Sequence, residues 1–362
     1  MIILGIETSC DETAVSLVEA KENKLKTLSN IISSQVKLHA KWGGVVPNLA
    51  AREHLKNIIP VLKTAFKKAG VKPSNIDLIA VTQGPGLIPA LLIGANAAKT
   101  LSYVWQKPLI GIHHIEGHIY ANFIHVNSKF KIQNSKFPIL CLVVSGGHTQ
   151  LVLMKKHLDY EIIGQTLDDA VGEAFDKVAR ILGLGYPGGP IISKLATRNS
   201  QLKKKNNFQI CLPRPMIDSK DFNFSFSGLK TAVLYKVKKL KKLPVTDYEL
   251  LVAGIAAEFQ QAAIDVLIHK TIKAAQKYNP KTIMLAGGVS ANQELRKQLS
   301  EFIEKNFPSA HRILPATSYS TDNAAMIAAA GYYRWKNMSA EQRKKALRNW
   351  KTLQADANLE LA

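Results

Sequence analysis

Apolar and polar positions follow two different periods along this chain, and the order of those periods repeats. "ILGIETSCDETAVSLVEA" (3–20) reads as strand, tight polar turn, strand, with Ile3, Leu4 and Ile6 before the turn and Val15, Leu17 and Val18 after it. "ILCLVVSGGHTQLVLM" (139–154) repeats that plan with Gly146 and Gly147 in the turn. Each hairpin is followed by a matching second unit. "IDLIAVTQGPGLIPALLIGANAAKTLSYVW" (76–105) and "KTIMLAGGVSANQELRKQLSEFI" (281–303) both read as buried strand, Gly-rich turn and helix. The pattern predicts two similar α/β halves: 1–125, a polar linker over 126–138, and 139–320, followed by a helix over 321–338 and a tail over 339–362.

Between the units of the second half, "DDAVGEAFDKVARILGLGYPGGP" predicts an amphipathic helix. Val171, Ala174, Phe175, Val178, Ile181 and Leu182 form one stripe, stopped by Gly183. Asp176 lies off the stripe beside Lys177, the ordinary sign of a solvated face.

At 362 residues and 46% hydrophobic content, the chain can bury a large core in two domains. Its start has an acidic flank and no basic region, so no signal peptide is expected, and no apolar stretch reads as the roughly 18 residues needed to span a bilayer. Three widely spaced cysteines (Cys10, Cys141 and Cys211) suit a reducing compartment, and a cytoplasmic protein is expected. A surplus of 48 Lys+Arg over 27 Asp+Glu gives +21, which suits a polyanionic partner such as nucleic acid. Many of these lysines fall in the runs 201–207 and 236–244, read as loops, where solvated surface is the alternative.

"HHIEGHIYANF" (113–123) looks at first like a zinc-protease signature. Residues four apart share a helix face, so His114 and His118 can address one metal ion. The glutamate decides against a protease. In H-E-x-x-H it follows the first histidine directly, whereas Glu116 stands two positions after His114, about 200° around the helix. No G-x-x-x-x-G-K-[ST] is present, so a P-loop is also excluded. The turn "ETSCDET" carries Glu7, Asp11 and Glu12, an acidic set that repels phosphate and suits a metal or an amine instead; Asp11 and Glu12 are taken as catalytic accessories. Cys10, with no histidine partner in the sequence, reads as buried and not nucleophilic.

The duplicated plan resembles the actin, sugar-kinase and Hsp70 type of fold, two related domains closing on a cleft, and that resemblance implies that the helix over 321–338 packs back near the first half. Seven ordered motifs, "GIETSCDET", "HHIEGH", "VVSGGHTQL", "TLDDAVGEAFDKVARILGLGYPGGP", "FSFSGLKTA", "AGGVSANQEL" and "STDNAAM", resemble the TsaD family over roughly residues 3–335. The resemblance implies transfer of a threonylcarbamoyl group from threonylcarbamoyl-adenylate to N6 of the adenosine 3′ of the anticodon, in tRNAs reading codons that begin with A, with release of AMP. It implies one metal ion, iron (Fe2+) favoured and zinc possible, held by His114, His118 and Asp322. The substrate contacts it implies fall on Val143, Val144, Ser145, Gly146, Gly147, Asp176, Gly189 and Asn292. Its partners would be tRNA, an inactive paralogue of the same fold and a small ATPase, with no membrane.

Each of these residues also has a plainer use. Asp322 reads as a helix cap or first-turn acid, Asn292 as a cap, His148 as a structural histidine, and Gly146–Gly147 as an ordinary hairpin turn. Competing functions are a metallopeptidase, an ATP-dependent kinase or carbamoyltransferase of the same fold, and a non-catalytic binding module.

Overall fold

A computed structural model describes residues 1–22, 24–124, 136–202, 210–240 and 248–361. The alternating apolar residues of the first segment form β1 (Ile2–Glu7) and β2 (Glu12–Lys21), an antiparallel hairpin that sets Ile3 opposite Val18 and Ile6 opposite Val15. β3 (Lys24–Ser34) extends the hairpin antiparallel to β2. β4 (Leu78–Gly84) runs parallel to β1, and β5 (Leu109–His113) parallel to β4, which gives the order β3-β2-β1-β4-β5.

Helices Pro47–Ala69 and Ile88–Trp105 cover one face of this sheet. Ile58, Val61, Ala65, Ala95 and Ala98 meet Leu4, Ile6, Val15 and Val81 in the core. The alanine-rich helix Ala324–Asn337 also packs on the sheet. It approaches so closely that a Cβ at Gly5 would collide with the Ala324 carbonyl, so only glycine fits there.

The second sheet repeats the first. β6 (Ile139–Val144) and β7 (Thr149–Lys156) form the hairpin, β8 (Asp159–Gln165) flanks it, and β9 (Thr282–Ala286) and β10 (His311–Ile313) follow in parallel, in the order β10-β9-β6-β7-β8. Read from the outer hairpin strand inward, both sheets have the same connectivity, which is the duplication predicted by the hydrophobic pattern. Its core joins Leu140, Leu142 and Val144 to Phe175 and Val178 of the helix Val171–Ile181, and to Phe259 and Leu267 of the helix Tyr248–Tyr278.

The chain divides into two compact units: residues 1–134, 157–160 and 315–362, and residues 135–156 and 161–314. This division differs from the sequence reading in three respects. Return to the first unit begins at Pro315 and not at 321, and 157–160 also belong there. The tail from 339 is part of the same unit, because Leu353 is buried in its core. Of the linker expected over 126–138, residues 126–135 lie outside the described residues, while Lys281 N–H donates to the Pro138 carbonyl at 2.9 Å, tying the linker's end to β9.

The lysine run at 203–207 and residues 241–244 also lie outside the described residues, but Lys236–Leu240 are the end of the helix Ser227–Leu240 and not a loop. The helix Tyr248–Tyr278 corrects the statement on apolar stretches. By length and composition it is long and apolar enough to cross a membrane, and 72% of its most apolar window is buried inside the protein. Its apolar character is that of a core helix, with Leu251, Ile255, Phe259, Val266 and Leu267 all buried.

Candidate functional site: a histidine–aspartate cluster and a glycine-lined surface

β5 delivers its last residue, His113, to the start of the short helix His114–Tyr120, all of whose side chains are buried. One turn of helix places His114 and His118 on one face, with ring centroids 4.7 Å apart. Asp322 reaches them from the segment before Ala324. Its Oδ1 lies 3.6 Å from His114 Nε2 and 3.2 Å from His118 Nε2. Asp322 is not the helix cap that the sequence alone allowed. Asn323 takes that position, accepting from Met326 N–H, which leaves the Asp322 carboxylate to face the histidines.

These residues fit a metal ion. Their candidate ligand atoms all lie within 4.8 Å of one another, and ligands bonded at about 2.0–2.2 Å to one ion stand roughly 3–4 Å apart. His118 is 1% exposed, yet neither of its ring nitrogens has a hydrogen-bond partner among the described residues. A buried imidazole whose one close polar neighbour, the Asp322 carboxylate, is not aligned as a hydrogen bond is costly, and a cation between the two removes that cost. Two imidazoles and one carboxylate leave positions open for substrate oxygens.

Sequence reasoning missed the residue that orients the pair. Glu7, at the end of β1, is fully buried and places Oε2 3.0 Å from His114 Nδ1, while Oε2 also accepts from the Thr82 hydroxyl at 2.6 Å and Oε1 from Ser9 N–H at 2.5 Å. Donating Nδ1–H to Glu7 turns the Nε2 lone pair towards Asp322 and His118. Burial alone would lower the His114 pKa. The Glu7 and Asp322 charges outweigh it and raise the value to about 9, the mark of a pocket that favours positive charge. The available signal was Glu7 in the acidic turn, but nothing local says that β1 ends beside β5.

The other residues of that turn are also placed beside the cluster. Glu12 accepts from the Ser34 hydroxyl at 2.9 Å, and its carboxyl is held well above the usual range by burial first and then by the charges of Asp11 and Asp322. Asp11 is buried, with Oδ2 lacking a hydrogen-bond partner among the described residues. The Cys10 thiol is raised by burial and by Asp11, Asp322 and Glu12, so it stays protonated and is no nucleophile. Glu116 is engaged elsewhere, accepting from Arg334 Nε and Nη2 at 2.7 and 2.6 Å.

The second unit gathers the remaining predicted residues. Ser145 N–H donates to the His148 carbonyl at 2.8 Å and His148 N–H to Ser145 Oγ at 3.1 Å, which closes the hairpin around Gly146 and Gly147. Neither glycine adopts the left-handed conformation, and a Cβ at either would meet open space. Their backbone is thus approachable, but the turn itself does not demand glycine. Val143 and Val144 are fully buried in β6, so their side chains cannot touch a ligand. The helix Val171–Ile181 abuts this turn, because a Cβ at Gly172 would meet the Ser145 carbonyl at 2.5 Å.

Asp176 Oδ1 accepts from Gly188 N–H at 2.7 Å, which brings Asp176 and Gly189 side by side. Space around Gly189 and Gly288 is open, as it is at Gly146 and Gly147. Gly287, by contrast, adopts φ +90° against the Val144 carbonyl and requires glycine. Gly172, Gly287 and Gly288 were not singled out from the sequence, although "AGGVS" carried the signal for the last two. Asn292 is the helix cap. Its Oδ1 accepts from the Glu294 and Leu295 amides, and its Nδ2 donates to Gln260.

Comparison with known proteins identifies the family. The profile of the family described as TsaD, tRNA N6-adenosine threonylcarbamoyltransferase, matches residues 26–329. A protein of that name from Thermosipho africanus is 50% identical over 361 residues, covering 100% of both chains. Another from Bacillus subtilis is 50% identical over 334 residues, 91% of this chain and 90% of the relative. Among solved structures, HypF from T. kodakarensis has a TM-score of 0.57 at 14% identity, covering 94% of this chain and 49% of that one, a likeness of fold alone. With its motifs in place and matched over most of its length, the chain belongs to the tRNA N6-adenosine threonylcarbamoyltransferase family and is a transferase acting on tRNA.

Proposed function

We propose that the donor is threonylcarbamoyl-adenylate and the acceptor N6 of the adenosine 3′ of the anticodon, in tRNAs reading codons that begin with A, with AMP released. The observation that carries this reading is the convergence of His114, His118 and Asp322, with Glu7 behind them. When bound there, iron (favoured) or zinc supplies Lewis-acid polarisation of a substrate oxygen.

The exocyclic amine of adenine is a weak nucleophile, because its lone pair is delocalised into the ring, so the donor must be a strong electrophile, as a mixed carbamic-phosphoric anhydride is. His114, His118 and Asp322 would hold the cation, and Glu7 fixes the tautomer that would let His114 do so. Asp11, which is buried, or Glu12, which is half-buried, takes the proton the amine loses as its bond to the carbamoyl carbon forms and the bond from that carbon to the phosphate oxygen of AMP breaks. Gly146 and Gly147 offer backbone to the developing negative charge, and Asp176 with Gly189 receives the ribose of the adenylate. Asn292 caps the helix that follows the Gly287–Gly288 turn.

A peptidase reading requires a free glutamate beside the ligands, and Glu116 is committed to Arg334. The complex would include an inactive paralogue and a small ATPase, in the cytoplasm and without a membrane.

The test is a single-turnover reaction with purified threonylcarbamoyl-adenylate, unmodified tRNA, the partner proteins and each variant. Asp176→Ala is expected to keep tRNA affinity and metal but lose adenylate affinity roughly 10- to 100-fold, from about 1.5 to 3 kcal/mol of lost charged hydrogen bonding. Absence of transfer by the wild type would refute the function, and unimpaired transfer by Asp176→Ala would refute that residue's role.

A further inference from the structure

The last residues, 349–361, lie beyond the region matched by the family profile, yet they are not a loose end. They run alongside β5 from its start to its finish. Asn349 Nδ2 donates to the carbonyl of Leu109, the first residue of β5, at 2.8 Å. Leu353, 8% exposed, packs against Gly111 in the middle of the strand. Asp356 N–H donates to the Gln83 carbonyl at 2.9 Å, and a Cβ at Gly84 would collide with the Asp356 carbonyl. The Leu359 carbonyl then stands 2.9 Å from Nε2 of His113, the last residue of β5 and the neighbour of His114.

His113 is the N-cap of the helix that carries both histidine ligands, and its Nδ1 accepts from Ile115 N–H at 3.1 Å. An acceptor nitrogen carries no proton, so the neutral ring has its proton on Nε2, where only an acceptor can be its partner. The Leu359 carbonyl is that acceptor. Were it withdrawn, Nε2–H would lose its acceptor and only the Ile115 N–H would still disfavour the Nδ1–H tautomer, which faces that amide with a second donor.

A second connection reaches the same place. The Gly84–Gly86 turn lies between the strap and the first hairpin: Gly86 N–H points at the Ala357 carbonyl at 3.4 Å, Leu87 N–H donates to the Ser9 carbonyl at 2.8 Å, and Ser9 Oγ is 3.2 Å from His114 Nδ1.

We infer that the C-terminal strap is a positioning element for the metal centre: the Leu359 carbonyl selects the His113 tautomer that caps the helix His114–Tyr120 and thereby aims His114 and His118. The inference rests on the reading of His114, His118 and Asp322 as a metal site, and it makes His113 and the strap positioning residues, since neither touches the ion.

The experiment measures Zn2+ affinity by chelator competition in the full chain, in a chain ending at Gln354, in His113→Asn, and in the two combined. Ending at Gln354 keeps Leu353 in the core while removing the hydrogen bonds of Asp356, Ala357 and Leu359. Asn keeps a side-chain acceptor for Ile115 but has no ring to share with Leu359. Each single change is expected to weaken Zn2+ binding at least about tenfold with unchanged helix content, the scale of losing an outer-shell partner. The combination should be no worse than the truncation alone, because the truncation already breaks the connection that His113→Asn breaks. Zn2+ affinity equal to the full chain in His113→Asn, which does not depend on the truncated chain folding, would overturn the inference, as would additive losses. Failure of the full chain itself to bind Zn2+ would refute the metal site instead.

Discussion

The carboxylate of Glu116 lies flat against the guanidinium of Arg334, with both of its oxygens engaged at 2.7 and 2.6 Å. Glu116 is fully buried and Arg334 partly exposed, so the pair fastens the helix His114–Tyr120 to the helix Ala324–Asn337 that follows Asp322. Breaking it strands a buried charge. Arg334→Ala should cost about 3 kcal/mol, at the low end for a buried pair because the guanidinium keeps some solvent. Denaturant unfolding checks the cost. Glu116→Gln, which retains an acceptor, should lose less and leave metal content unchanged; loss of metal there would return Glu116 to the site.

His114 and His118 are both buried, so replacing either removes packing as well as a candidate ligand. His118→Ala should abolish metal retention and also lower stability by roughly 1–3 kcal/mol through the cavity it leaves. Elemental analysis and thermal unfolding on the same sample separate the effects. Full metal occupancy in His118→Ala would exclude the site.

His157 stacks on Tyr333, with ring centroids 4.4 Å apart, and its Nδ1 is 3.2 Å from the Tyr120 hydroxyl. Burial, with a smaller push from Lys336, lowers its pKa to about 4. The folded state therefore binds this proton less readily than the unfolded chain, whose value is near 6.5. Stability from this ring is complete above about pH 6.5 and declines as pH falls towards 4. His157→Phe should flatten that part of the urea midpoint against pH, and an unchanged slope would place the acid sensitivity elsewhere.

Lys336, Arg343, Lys344, Lys345, Arg348 and Lys351 are exposed within sixteen residues whose one carboxylate is Glu341. Arg343 lies over the Trp335 ring at 5.1 Å, and Trp350 lies 4.6 Å from Tyr103. Such a basic face with interleaved aromatics suits a nucleic-acid backbone. Reversing Arg343, Lys344, Lys345 and Arg348 should reduce the slope of log affinity against log salt for tRNA by roughly 0.7–0.9 for each phosphate no longer neutralised. A slope equal to the wild type would make the face ordinary solvated surface.

The secondary structure around the site was legible because it is written in short-range patterns. Two hairpins, two strand-turn-helix units and the four-residue spacing of the histidines follow from periodicity and turn residues. β3 and β8 were missed; β3's Lys24–Ser34 mixes polar and apolar residues without strict alternation, and it forms by pairing with β2. The long core helix was missed because an all-round apolar helix has no stripe to read, and its environment alone tells it from a membrane span.

What the sequence by itself determined here is local: where the chain is extended, where it turns, which helix face bears His114 and His118, and, through ordered motifs, the family. What the tertiary structure decided is which distant groups share a space. Asp322 could be a cap or a ligand until Asn323 took the cap; Asn292 could contact substrate or cap a helix, and the structure gives its oxygen to the cap. Glu7 lies 107 residues from His114, and Leu359 lies 246 from His113. Contacts at such separations arise from parallel strand order and close packing through glycine, and no local propensity encodes them. The burial that makes them strong, by removing competing water, exists only once the whole unit has folded.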